Sequence, residues 1–133
     1  MWIIWLKGIL SDTFNGFQAH TNPIFQKLKI IKIPDLVFLH TALFMYDYHT
    51  GTLPISFKSY FTNVNQIHNY NTRLASKCNY YLPKARTNYG KFNIKFSGVK
   101  IWNSISDSTK KLSKAKFKER VIDDILVTYA RFP

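Results

Sequence analysis

Not one acidic residue lies between positions 48 and 106, a stretch that holds eight of the 19 lysines and arginines. Over that stretch the paired carboxylates of acid–base or two-metal catalysis are excluded. Cysteine occurs once, at Cys78. A disulfide framework and a cysteine zinc knuckle or ribbon each need several thiols, so both are excluded and a reducing intracellular compartment is expected. Neither G-x-x-x-x-G-K-[ST] nor G-x-G-x-x-G occurs, so no phosphate-cradling loop is expected. The one strongly apolar run, MWIIWLKGIL, is broken by Lys7 and Gly8. It is too short to span a bilayer and lacks both the charged lead-in and the cleavage site of a signal peptide. It reads as a core segment, or the remnant of one, in a chain that begins partway through something larger.

What remains suits one domain with a real core: 133 residues, 46% hydrophobic and 17% aromatic. The formal charge is +12, a field that favours polyanions, nucleic acid first and an anionic membrane surface second. No internal repeat or low-complexity linker is visible.

Asn22 and Pro23 open a short amphipathic helix over 22–31, with Ile24, Phe25 and Leu28 at helical spacing. Pro34 and Asp35 suit a first turn and Gly51 a C-terminal cap. Between them 34–49 is apolar over most of its girth, which marks it as the central core helix. Pro54 opens a further short helix, ISFKSYF. From 62 to 96 the chain turns to Asn, Thr, Tyr and Lys. NYYLP and FNIKF alternate like strands around a turn-like Asn-Tyr-Gly, so irregular loop with a small β-hairpin is expected there. Residues 97–105 should insert Ile101, Trp102 and Ile105 into the core. Ser113 caps a last helix, 113–129, whose stripe is Phe117, Val121, Ile122, Ile125, Leu126 and Tyr129. The fold class is therefore α+β, mainly α-helical, with a small helical core and an irregular β-hairpin and loop region.

The sharpest catalytic candidate is VIDDILV, 121–127, because paired aspartates between apolar residues also occur at the metal-binding turn of reverse transcriptases. That chemistry needs the pair on a hairpin and a third carboxylate from an upstream strand. Here the apolar residues follow helical period, Asp123 projects away from the stripe, and Asp124 sits one turn beyond Arg120, so a solvated helix face is expected. The histidines at 20, 40, 49 and 68 have no metal-ligand spacing, and no Ser-His-Asp or Cys-His set can be assembled. No catalytic residue, metal or cofactor is assigned, and the chain is not expected to be an enzyme.

The basic, aromatic stretch HNYNTRLASKCNYYLPKARTNYG, 68–90, carries chemistry of another kind. Arg73, Lys77, Lys84 and Arg86, with Lys91 just beyond, can neutralise phosphates. Tyr70, Tyr81 and Tyr89 among them can stack on unpaired bases. Lysine-rich loops are also commonly plain solvated surface, and tyrosine is also a core residue with a wet end. A second basic run, KKLSKAKFKER, adds Lys110, Lys111, Lys114, Lys116, Lys118 and Arg120, and a basic amphipathic helix can also lie on a membrane or a partner protein.

Six segments in order, AHTNPIFQKLKIIKIPDL, FMYDYHTGTLP, IHNYNTR, YYLPKARTNYGK, VKIWNSI and LSKAKFKE, resemble the region downstream of the polymerase core in LINE-type, jockey-like non-LTR retrotransposon reverse transcriptases. The resemblance divides the chain into a divergent apolar segment, 1–18, and a domain over 19–133. That domain would be helical over 22–61, irregular, basic and partly β over 62–96, and helical again over 97–130. It implies a fragment of a polyprotein whose endonuclease and polymerase parts lie upstream. The family's polymerase aspartates precede the first matching segment, so none carries over. MWIIWLKGILSDTFNGF departs from the family pattern. The implied function is non-catalytic binding of template RNA or single-stranded target DNA. The alternatives are a structural module docking on the polymerase domain of the same element, or a decayed copy without selected function.

Overall fold

The computed structural model describes residues 22–67 and 79–131. These form α1 (Asn22–Leu28), α2 (Ile33–Thr50), α3 (Asn88–Phe92), α4 (Ile94–Ser104), α5 (Asp107–Lys110) and α6 (Lys114–Arg131). Two 3-10 turns, Ile55–Phe57 and Val64–Gln66, lie between α2 and α3. The fold is mainly helical, and the described residues divide between two compact units, a larger one over Ile33–Val121 and a smaller one from both chain ends. The apolar segment 1–18 lies outside the described residues.

In the larger unit α2 ends where the sequence says it must. Gly51 has a φ of +73°, the left-handed conformation that closes a helix, and Thr52 N–H reaches back to the Asp47 carbonyl at 3.0 Å. Only one stripe of α2 is buried, Leu39, Ala42, Met45 and Tyr46. The expectation of a helix buried over most of its girth is corrected at its first turns, where Ile33 is 79% and Val37 62% exposed. The reason is geometric: the packing partners meet α2 along its second half. There Gly98 of α4 lies so close that a Cβ on it would stand 2.9 Å from Met45 Sδ. From α6, the Phe117 ring centre comes within 4.8 Å of Tyr46, whose hydroxyl donates to the Leu112 carbonyl at 2.8 Å.

Much of the aromatic content is spent holding the 53–61 segment onto α2. Phe44 meets Phe57 edge-on at 5.7 Å, and Tyr48 meets Phe61 at 4.7 Å. The Tyr48 hydroxyl also accepts from Phe61 N–H at 3.2 Å. This packing shortens the expected ISFKSYF helix to a single 3-10 turn, because Phe61 must turn back toward Phe44 and Tyr48 of α2.

Among the described residues NYYLP and FNIKF do not pair as the expected β-hairpin. NYGKF forms α3, capped by the Thr87 hydroxyl, which accepts from Gly90 N–H at 3.2 Å. Asn93 then both ends α3 and caps α4 by accepting from Lys95 N–H at 2.9 Å. Two capping side chains override the short alternation of FNIKF, since each satisfies amides that a strand would have paired elsewhere. Of the strand reading of NYYLP, one antiparallel bridge survives, Asn63 with Tyr80, with Tyr81 N–H on the Thr62 carbonyl at 2.8 Å.

Tyr80 is held from its other side by a side chain acting as a strand. Asn103 Oδ1 accepts from Tyr80 N–H at 3.1 Å while its Nδ2 donates to the Tyr80 carbonyl at 2.9 Å. Asn103→Leu leaves both backbone groups of a buried residue without these bonds, so a stability loss of about 1–3 kcal/mol is expected in urea melts. A loss below about 0.5 kcal/mol would show that water substitutes freely for the amide.

In the smaller unit Lys32 is the organising residue. Its backbone N–H donates to the Tyr129 hydroxyl at 3.0 Å, and its ammonium bonds the Asn22 side-chain carbonyl. The same ammonium lies 5.3 Å from the Phe25 ring centre and 5.4 Å from that of Tyr129, a cation between two aromatic faces.

Candidate nucleic-acid interface

Of the candidate contact residues, Tyr70, Arg73 and Lys77 lie outside the described residues. The other five are all exposed: Tyr81, Lys84, Arg86, Tyr89 and Lys91. Tyr81, Lys84 and Arg86 sit on the extended approach to α3, and Tyr89 and Lys91 on α3 itself. Tyr89 is 89% exposed, and so is its unpredicted neighbour Phe92, at 82%. A five-residue helix with two solvent-facing rings is held in place by its caps and by α4, to which it is joined at Asn93. Its exposed rings contribute little to that packing, which leaves their faces open for contact.

Further cations extend this surface. Lys95 places its ammonium 4.5 Å above the Tyr60 ring, and Lys100 is exposed one turn beyond Phe96 on α4. Lys100 was legible in principle: once Asn93 is recognised as a cap, helical spacing places it outside the stripe of Gly98, Val99 and Trp102, whereas Lys95 lies in line with that stripe and is exposed in the first turn of α4.

The second basic run is split by the fold. Lys111, Lys114, Lys116, Lys118 and Arg120 are exposed, but Lys110 is buried and leaves the surface set. Its ammonium donates to Asn79 Oδ1 at 2.9 Å, stands 3.5 Å from the Asp107 carboxylate and lies 5.3 Å from the Trp102 ring centre. The cause is local: Ser106 caps α5 by accepting from Thr109 N–H, and this one-turn helix turns Thr109 and Lys110 inward. Lys110 thereby fixes Asn79 beside Tyr80, within the basic segment.

Asp123 and Asp124 both lie on α6 and are solvent-exposed, so VIDDILV is helical and the hairpin geometry of a metal-binding turn is absent there. Among the described residues no three His, Cys, Asp or Glu side chains cluster as a metal ion would require, and no helix is long and apolar enough to cross a membrane.

His49, in the last turn of α2, packs its ring on Trp102 at 5.1 Å, with Nδ1 3.2 Å from the Tyr80 hydroxyl. Burial against these rings, and secondarily the Lys110 charge, hold its imidazole below the usual histidine range. The folded chain therefore favours the neutral ring. The associated stability is complete above the ordinary value of 6.5 and is lost as pH falls through the lowered folded value. Thermal melts from pH 7 to 5 should show a shallower loss for His49→Gln than for the unmodified protein. Equal slopes would remove His49 as the source. The ring is partly exposed, so the difference is small.

The described residues of the larger unit include the linings of two concave regions. One, of 460 Å³, opens between Tyr48, Pro54, Phe57, Lys58 and Tyr80. The other, of 410 Å³, is a groove between Phe38 of α2, Lys91 of α3 and a line of α4 residues. Compared with known proteins, the chain matches no family model, no curated protein and no solved structure.

Proposed function

We propose that this protein is a non-catalytic nucleic-acid-binding segment that contacts RNA or single-stranded DNA inside the cell. Its role would correspond to that of the region downstream of the polymerase core in LINE-type non-LTR retrotransposon reverse transcriptases. The observation that carries this reading is the exposure of Tyr89 and Phe92 among Lys84, Arg86, Lys91 and Lys95, on a stretch without a single carboxylate. Ammonium and guanidinium groups attract phosphates, and open aromatic faces stack on bases. The test is retention of single-stranded or structured RNA across a salt titration, with an acidic protein and heparin as controls. Salt-dependent RNA binding well above binding to the acidic protein supports the reading, and equal binding to all three polyanions removes it.

A second reading has its own observation. Ile33, Leu36 and Val37 form an exposed apolar patch on the first turns of α2, which suits docking on a protein such as the polymerase domain of the same element. Binding to an acidic protein that survives high salt would favour it over nucleic-acid contact.

A further inference from the structure

The 410 Å³ groove combines half-buried apolar side chains with two exposed lysines and two serine hydroxyls. Phe96, Ser97, Lys100, Ile101 and Ser104 line it from α4 and Phe38 and Lys91 from α2 and α3. On α4 these positions recur at one face from Phe96 to Ser104, about 12 Å of helix. Phe38, Phe96 and Ile101 supply a half-buried apolar floor. Lys91 and Lys100, both exposed, supply two positive charges at its sides, and among the described residues no carboxylate lines it. The Ser97 and Ser104 hydroxyls donate to the Asn93 and Ile101 carbonyls, so their oxygens remain as hydrogen-bond acceptors.

The occupant that satisfies all three features is flat and apolar on its faces, carries N–H donors at its edge and bears negative charge beside it. We infer that the groove seats one unpaired nucleotide of a bound strand, its base on Phe38, Phe96 and Ile101 and its phosphates toward Lys91 and Lys100. The volume lies within the roughly 300–1,000 Å³ of sites that enclose small ligands. Three floor side chains accept one planar ring, a smaller apolar surface than a groove that receives the successive anchors of an amphipathic acidic helix. Lys91 belongs both to the exposed basic surface and to this groove, which makes the two continuous. The inference rests on the nucleic-acid reading above and adds to it the selection of unpaired over paired bases, because a base within a duplex has no free face to lay on the floor.

The experiment compares affinities for a short single-stranded oligonucleotide and for its abasic counterpart, which keeps every phosphate and loses the bases. Ser104→Trp fills one end of the groove from an exposed helix position and leaves the charge unchanged. The expected result is a preference for the base-containing strand that drops about tenfold in Ser104→Trp, with abasic affinity unaltered. Phe38→Ala, which removes part of the floor, should lower the same preference, and thermal melts establish that each variant is folded. An unchanged preference in either folded variant overturns the groove assignment. Equal affinity of the unmodified protein for both strands also overturns it while leaving phosphate binding intact, whereas absence of salt-dependent binding to either strand removes the nucleic-acid reading itself. An acidic amphipathic peptide that binds more tightly than the oligonucleotide and is lost in Ser104→Trp would assign the groove to a protein partner and overturn the proposal.

Discussion

Trp102→Ala is expected to cost about 3–5 kcal/mol, against a total stability of about 5–15 kcal/mol for a typical domain. The indole is fully buried and has ring neighbours from three separate parts of the larger unit. Phe117 of α6 lies 6.2 Å from its ring centre, Tyr80 of the bridge segment 6.4 Å, and His49 of α2 5.1 Å. Truncation therefore opens a cavity that three separate elements must collapse into, and their helices are too rigid to follow completely. It also takes the aromatic face from beneath the buried Lys110 ammonium, whose desolvation is then less well offset. Urea denaturation followed by far-ultraviolet circular dichroism measures the loss. Trp102→Phe, which keeps a ring in place, should lose clearly less. A cost for Trp102→Ala below about 1 kcal/mol would mean that the core is not organised around this residue.

The second large effect is on binding. Reversing Arg73, Lys77, Lys84, Arg86 and Lys91 to glutamate should abolish retention of single-stranded RNA at physiological salt and leave the melting curve close to that of the parent. If all five contact phosphates, the affinity of the parent falls with salt at a slope of about −3.5 on logarithmic axes. That slope amounts to roughly a hundredfold between about 50 and about 200 mM salt. Each reversal removes one attraction and adds one repulsion, so the combined loss exceeds the value of the contacts alone. Lys84, Arg86 and Lys91 are exposed, so reversing them disturbs no packing in the described structure. Undiminished binding by the folded variant would move the interface elsewhere, with the α6 face of Lys116 and Arg120 as the next surface to alter. Tyr89→Ala together with Phe92→Ala is the complementary change, and it should weaken base-containing strands while sparing the salt slope.

The contrast between Lys110 and Lys91 shows how far a sequence can be read. Both look like members of basic runs, yet Lys110 is buried against Trp102 and Asn79 while Lys91 is open to solvent. Composition predicts the field of +12 and has no means of assigning a single lysine to core or surface. Lys110 turns inward through the cap of a one-turn helix, a device too short for any periodic pattern to reveal. The missed α3 has the same origin. Asn-Tyr-Gly looks like a turn between strands until Thr87 and Asn93 are recognised as successive caps, and whether a Thr or Asn caps depends on backbone angles that neighbouring packing sets.

The long helices were legible because their evidence is local. An expected span of 34–49 became Ile33–Thr50, 113–129 became Lys114–Arg131, and Gly51 takes the left-handed closing position assigned to it. The α6 stripe buries Phe117, Val121, Ile125 and Tyr129 at the anticipated spacing, and Trp102 sits in the core as expected. These features follow from the 3.6-residue period and from side-chain stereochemistry, which need no information about distant residues. Which face of α2 stays open, how Asn103 replaces a strand beside Tyr80, and where Phe38, Lys91 and Lys100 converge are long-range matters. Sequence alone determined a basic, aromatic, mainly helical chain without catalytic carboxylates along its acid-free stretch. Only the tertiary structure decided which rings and charges face solvent, because burial is settled by the competition of all elements for the same limited core.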